Sequence, residues 1–442
     1  MRFLPFCAAA SCMLVLVSSD AAFAQTKNGY QELKDVLYKV CENNPELQAA
    51  REKFRETQEL YPQARAGWLP SVNAEASVYH SDIENSNFNS VADGSTTKDL
   101  TLSLDQPIWR GGRTFAETDS ANAQIQAGKA TLLQVHQDIF LRTLGVYMDV
   151  LRDRELLDLR RQNEDVLLDE LKAAWERKKL GDITVTDVQQ AKARLARAKS
   201  ERVEAQSNLQ TSAAKFEEMA GIEPPKKLLM PYVNFHFPST LKEMQKQAEQ
   251  RNPELWSVQY EHSAAEHDVR ATSRELLPQV SAFASLDKQY DPQPGIVDDS
   301  RTKTIGIRAT MALYEGGATR SRIRKSKHTA KRKEYEIEET RRKIKQQVRT
   351  NWNSYRAAQK TTEIRKDEID SAQQALKGVR EESRLGQRTV IDILDADQDV
   401  IDAKIALARA RHDEIIAQFA LARAMGFLTP HVLGMSKPQT TN

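Results

Sequence analysis

The chain is poor in the residues on which most compact folds depend. Among 442 residues there are 17 glycines, 15 prolines and three cysteines, and aromatic side chains make up only 7%. With mean hydropathy at −0.61 and Ala, Arg, Lys, Glu, Gln and Leu dominant, this composition argues against a compact enzyme and for long helices. Charge of one sign is also missing. The 64 Lys and Arg against 62 Asp and Glu leave a balance of +2, which speaks against a nucleic-acid partner. Outside the first 24 residues no apolar run approaches the roughly 18 to 20 residues that a spanning helix needs. No phosphate-binding glycine loop, zinc cysteine pair or nucleophile elbow occurs, and His262, Glu266 and His267 lack His-Glu-x-x-His spacing. No enzyme activity, cofactor or metal site is therefore expected.

What is present begins with a leader. Arg2 precedes the apolar stretch Phe3 to Val17, and Ala22-Phe23-Ala24 fits the small-x-small rule for cleavage, so residues 1–24 read as a signal peptide. A lipid anchor at Cys12 fits poorly, because the apolar stretch continues through Met13 to Val17. Removal of the leader leaves Cys41 alone, which excludes an intrachain disulfide and leaves packing or oligomerisation to hold an exported protein together.

The rest is one unit written twice. Asn44-Pro45-Glu46-Leu47 and Leu69-Pro70 recur 208 positions later as Asn252-Pro253-Glu254-Leu255 and Leu277-Pro278. Farther on the offset is 205: Gly111-Gly112 matches Gly316-Gly317, Leu180-Gly181 matches Leu385-Gly386, Asp187-Val188 matches Asp392-Ile393, and Gly221 matches Gly426. Ordered matches of this kind indicate tandem duplication. The repeats are taken as residues 25–221 and 241–426, joined by a linker over 222–240 and followed by a tail, 427–442.

All 15 prolines lie outside residues 108–223 and 295–429. The spacing predicts two uninterrupted helices, about 113–179 and about 318–384, each about 100 Å long at 1.5 Å per residue. Apolar residues recur every seven positions, as in Ile125, Leu132, Ile139 and Val146, or Leu394, Ile401, Ala408 and Ile415, which implies coiled-coil packing. Ala191, Ala198 and Ala205 mark a close-approach seam.

Four segments change to period two. Val72, Ala74, Ala76 and Val78 alternate with polar residues, as do Leu100, Leu102 and Leu104; Val280, Ala282, Ala284 and Leu286; and Ile305, Ile307, Ala309 and Met311. These read as two hairpins, about 70–106 and about 278–312, with strands of about ten residues and polar loops over 80–99 and 288–303. Strands of that length cross a bilayer when tilted, and Trp68, Trp109 and Tyr314 stand where interfacial anchors would. Four strands cannot close a membrane barrel, so the edges need further copies. Dimer and trimer both meet the count.

The segment Arg384-Leu385-Gly386-Gln387-Arg388-Thr389-Val390-Ile391-Asp392-Ile393-Leu394-Asp395-Ala396 closely resembles the TolC family of outer-membrane channel-tunnels. Leu180-Gly181-Asp182-Ile183-Thr184-Val185-Thr186-Asp187 resembles the family's other helix-turn-helix tip, and the Asn-Pro-Glu-Leu and Gly-Gly landmarks agree in order and spacing over nearly the whole mature chain.

The resemblance implies a mainly α fold with a membrane β-barrel: a homotrimer with a twelve-stranded barrel in outer-membrane lipid and a coiled-coil tunnel in the periplasm. It implies a passive exit duct for type I secretion or multidrug efflux, fed by an ABC, RND or MFS inner-membrane transporter through a periplasmic adaptor. At the tips it implies an aspartate ring at Asp392 and Asp395 and a gate link between Asp187 and Arg388. Gly181, Asp182, Gly386 and Gln387 become entrance turns and adaptor contacts. Ser383 stands where the best-known member has a tyrosine, which implies different closed-state hydrogen bonds.

Read without the resemblance, Asp392, Asp395, Asp399 and Asp402 share one helix face, whereas the first-repeat positions are Asp187, Gln190, Arg194 and Arg197. The densest basic run, Arg320 to Lys333, reads equally as a lipid-facing patch or a solvated helix. The alternative function is a periplasmic adaptor with a long helical hairpin. It would show one hairpin between soluble β domains, not two strand-and-helix repeats.

Overall fold

The computed structural model describes residues 31–83, 92–231, 233, 235–293 and 297–429. The expected leader, 1–24, and the tail beyond 429 lie outside the described residues. The chain is mainly helical with one antiparallel sheet. Described residues 31–43 are helical (α1), followed by α2 (Pro45–Gln58), α3 (Leu60–Arg65), β1 (Ser71–Ile83), β2 (Ala92–Trp109), α4 (Arg113–Leu180) and α5 (Val185–Ala220). The second half repeats the plan: α6 (Leu241–Arg251), α7 (Pro253–Ser273), β3 (Gln279–Gln293), β4 (Val297–Thr310), α8 (Ala318–Arg384) and α9 (Val390–Ala424).

Two compact units share these elements. One comprises the residues up to Ala50, Leu133–Asn252 and the residues from Arg342; the other comprises Arg51–Leu132 and Pro253–Arg341. The first unit is helical, with Phe140, Tyr147, Phe216 and Phe419 fully buried. The linker contributes to this core: the Tyr147 hydroxyl donates to the Leu229 carbonyl at 2.7 Å, and Phe235 meets Phe419 edge-on at 5.1 Å. The duplicated asparagines have duplicated work. Asn44 Nδ2 donates to the Met219 carbonyl at the end of α5 (3.2 Å), and Asn252 Nδ2 to the Ala424 carbonyl at the end of α9 (3.0 Å). Both satisfy carbonyls that a helix terminus leaves open. Gly426 is left-handed at φ 74°, and a Cβ there would lie 2.5 Å from the Arg251 carbonyl oxygen, so only glycine fits. A partly buried His412 joins α4 to α9, with Nε2 3.1 Å from Asp149 Oδ1 and Nδ1 2.9 Å from Asp413 Oδ1. Burial works to lower the imidazole pKa, but hydrogen bonds to the two carboxylates outweigh it and raise it.

The second unit holds the sheet, in the order β1-β2-β3-β4. Its strands have 13, 18, 15 and 14 residues, longer than the ten expected from sequence. The polar stretches read as loops contribute to the ladder instead: His80 pairs with Thr96, Tyr79 with Thr97 and Lys288 with Arg301. Ladder bonds come from the backbone, so they continue where apolar alternation stops. Beside the sheet, Glu275 binds Arg113 of α4 (3.7 Å) and Arg322 of α8 (2.9 Å). Much of the basic run on α8 is paired: Lys333 with Glu261 at 2.6 Å, Lys331 with Glu334 at 2.7 Å, and Arg332 with Glu336.

Candidate functional site

Both helix-turn-helix tips are made by the same bonds. After α4, Gly181 turns left-handed at φ 85° and the Asp182 amide donates back to the Arg177 carbonyl at 3.0 Å. After α8, Gly386 does so at φ 75°, and the Gln387 amide donates to the Glu382 carbonyl at 2.9 Å. This glycine-terminated ending satisfies carbonyls left open by the helix. A Cβ at either glycine would meet nothing within 4 Å, so the backbone angle alone selects glycine.

The outgoing helices start on matching capping boxes. The Asp187 amide donates to Thr184 Oγ1 (3.3 Å) and the Thr184 amide to Asp187 Oδ2 (2.9 Å); the Asp392 and Thr389 pair repeats this at 3.3 and 2.8 Å. The backbone amide bonds, helped by the threonine hydroxyls, hold both carboxyls below the ordinary aspartate range. Two of the candidate gate acids are thus helix caps. The Thr-x-x-Asp pattern was visible in sequence as a capping signal.

The remaining candidates find partners across the repeats and along the tip. Asp395 of α9 is bonded by Arg194 of α5, so the basic residue of one repeat meets the acid of the other. Arg388 Nε donates to Glu382 Oε2 at 2.8 Å, and the link to Asp187 implied by the resemblance is not made within the chain. The second repeat's acidic face is consequently less uniform than the sequence spacing suggests. Asp402 accepts from Gln398 at 3.0 Å, and Asp399 is exposed. Sequence reading missed Asp397, which is buried and accepts from Arg380 Nη2 through both oxygens, at 2.9 and 3.0 Å. Beneath the tips Leu167, Ala174, Val188, Ala191, Val390 and Leu394 form one apolar cluster that fixes α4, α5 and α9 together.

The other candidate surface is the sheet. Directly paired residues lie on one face, so the register sorts the side chains. Val72 pairs with Leu104, Leu104 with Ala284 and Ala284 with Ile305; Ala74, Leu102 and Leu286 make the next row. The first of these rows is apolar across all four strands and open to the surroundings, Ile305 to 87%, and the second ends on Lys303 of β4. An irregularity between Pro107 and Trp109 sets Trp109 opposite Val280, which returns the indole to the apolar face. Trp68 precedes β1, meets Phe115 edge-on at 4.8 Å and accepts from Gln106 Nε2 through its carbonyl (2.9 Å). Tyr314 follows β4 and is exposed.

The opposite face is polar, with Glu75, Thr101 and Asp287 in one row and Thr101 Oγ1 donating to Asp287 at 2.9 Å. Its exceptions complete each other: Phe283 fills the space over Gly306, where a Cβ would sit 2.9 Å from the ring, and Arg308 stacks on that ring at 4.5 Å. Among the described residues no group of His, Cys, Asp and Glu could hold a metal ion, and no helix is long and apolar enough to cross a membrane.

Long helices with glycine-turned tips, and a sheet whose exposed face carries apolar rows, are the features of an outer-membrane channel-tunnel class. The family model for outer membrane efflux proteins matches twice, over residues 36–221 and 244–427, and the chain belongs to that family. It is 28% identical over 425 residues to the outer membrane efflux protein BepC of Brucella suis, covering 96% of this chain and 90% of that protein. With the outer membrane protein TolC of Escherichia coli K12 it shares 25% over 449 residues, 96% of this chain and 88% of that one. The crystal structure of the outer membrane protein VceC of Vibrio cholerae has the same fold, with TM-score 0.76 at 17% identity over 90% of this chain and 96% of that chain.

Proposed function

We propose that three copies of the chain, exported by cleavage after residue 24, close a twelve-stranded barrel in the outer membrane. Their helices line a duct through the periplasm, which passes cargo received from an inner-membrane transporter through a periplasmic adaptor, in type I secretion or drug efflux. The sheet carries this reading. An exposed apolar face four strands wide is stable against lipid, and its outer strands β1 and β4 each offer one edge to a neighbouring copy. From Leu100 to Trp109 the strand rises about 30 Å, or about 23 Å along the membrane normal at a 40° tilt, close to the roughly 25 Å apolar band of such barrels. Trp68, Trp109 and Tyr314 serve as interfacial anchors at the helical end.

The tips form the periplasmic gate. Three copies of Asp392 around one axis, each near an Asp395 that shares its charge with Arg194, concentrate negative charge that attracts cations. Gly181, Asp182, Gly386 and Gln387 present the turns to the adaptor, and energy comes from the transporter. Reconstitution in a planar bilayer with mass determination of the oligomer tests the duct: discrete conductance from a trimer supports it, and a water-soluble, non-conducting species sinks it.

A further inference from the structure

The register of the sheet sorts charge as well as hydropathy. On the apolar face, at the end away from Trp109, stand Lys98 of β2, Lys288 of β3, and Arg301 and Lys303 of β4. Lys288 lies directly opposite Arg301, Lys303 opposite Leu286 and Lys98 opposite Tyr290, and Asp299 is the acid that shares this region of the face. Glu75, Asp99, Asp105 and Asp287 lie on the other face. Cross-strand neighbours stand about 5 Å apart and successive same-face rows about 7 Å apart; Lys98 and Lys303, two strands and two rows apart, are the farthest pair, so the four cations fall within a patch about 17 Å across.

Two cations directly opposite each other destabilise a sheet. Among the described residues none of the four has a carboxylate partner. Lys288 lies over the Tyr290 ring at 4.2 Å and donates to its hydroxyl, which steadies the ammonium without neutralising it. The patch thus presents uncompensated positive charge beside a surface built for lipid tails. Lys and Arg in such a cluster are suited to phosphate.

We propose that this patch binds the phosphorylated glucosamine headgroup of lipopolysaccharide, the lipid of the outer leaflet. The inference rests on the reading of the apolar face as membrane-embedded with the helices in the periplasm, which puts the cations at the external rim. It commits to lipopolysaccharide over phospholipid because phospholipid headgroups occupy the opposite leaflet.

The test uses purified wild-type protein and the variant Lys98→Gln/Lys288→Gln/Arg301→Gln/Lys303→Gln. Each is titrated with diphosphoryl lipid A, dephosphorylated lipid A and phosphatidylglycerol; bound lipid is counted by native mass spectrometry, and single-channel conductance is recorded from the same preparation. Wild type should prefer diphosphoryl lipid A over the other two by about tenfold, the size four surface charge contacts carry together. The conducting variant should lose that preference. Equal uptake of the three lipids by wild type, or a conducting variant that keeps the preference, overturns the inference and leaves the duct intact. A wild type that never conducts refutes the duct, and the proposal with it. Should the variant fail to insert, the three-lipid comparison on wild type decides.

Discussion

Replacing Asp397 by Asn should loosen one tip and leave the other unchanged. The Asp397 side chain is 10% exposed and that of Arg380 45%, and both carboxylate oxygens accept from Arg380 Nη2 at 2.9 and 3.0 Å. At an effective dielectric near 20 the attraction is about 4 to 5 kcal/mol. Desolvation of the acid and the half-exposed arginine, which water screens, reduce the net coupling to about 1.5 kcal/mol. This pair ties the last turns of α8 to the second turn of α9, so its loss should shift the local opening equilibrium there about tenfold. Hydrogen exchange read by mass spectrometry measures that equilibrium. Amides in 377–400 should exchange about ten times faster, while those in 172–195, at the other tip, stay within twofold of wild type. A double-mutant cycle with Arg380→Gln should return the same coupling. Equal acceleration at both tips, or none at either, would refute the assignment of Asp397 as a local tie.

Further outcomes follow from the same geometry. Gly386→Ala and Gly181→Ala should each cost about 1 kcal/mol, from left-handed backbone alone, whereas Gly426→Ala should cost several times more because its Cβ would meet the Arg251 carbonyl oxygen at 2.5 Å. Thermal dissociation of the assembled protein ranks the three, and equal losses would discard the distinction between angle and crowding. Asp392→Ala combined with Asp395→Ala should weaken block of single-channel conductance by multivalent cations, and undiminished block would remove these residues from the constriction. His412, whose pKa is raised, stabilises the fold fully below its unfolded value near 6.5 and loses that contribution as pH rises through the folded value. Stability should therefore fall as pH rises above about 6.5, and His412→Gln should flatten this slope; an unchanged slope assigns it to another group.

Much of the helical plan was legible because its rules are local. Proline-free runs flanked by Gly111-Gly112 and Leu180-Gly181, and again by Gly316-Gly317 and Leu385-Gly386, correspond to α4 and α8. The strands showed in period two, but their ends did not: His80, Thr96 and Lys288 look like loop residues and are held by ladder bonds that ignore side-chain polarity. The tip chemistry was legible by residue type rather than by partner. Asp395 looked like one member of an acidic row until Arg194, 201 positions away, was found against it. Asp397 gave no signal, since a buried acid and an exposed one look alike on a helix when the arginine that meets it lies in another element. The cation patch needed both period and register: Lys98, Lys288, Arg301 and Lys303 become neighbours only once the strands are aligned.

The paired capping boxes make the tip's charge and its local fold a single variable. The carboxylate of Asp392 that would attract a cation in the opening is the same carboxylate that accepts the Thr389 amide and starts α9, and Asp187 does the same for α5. A proton or ion that takes such an oxygen competes with a backbone amide, so ligation unwinds a first turn to the extent that it neutralises the acid. By reciprocity, any contact that straightens or frays that turn changes how tightly the acid holds its ion. Chemical signals in the periplasm and mechanical ones from a docking partner would thus act at the same two hydrogen-bonded rings of the chain.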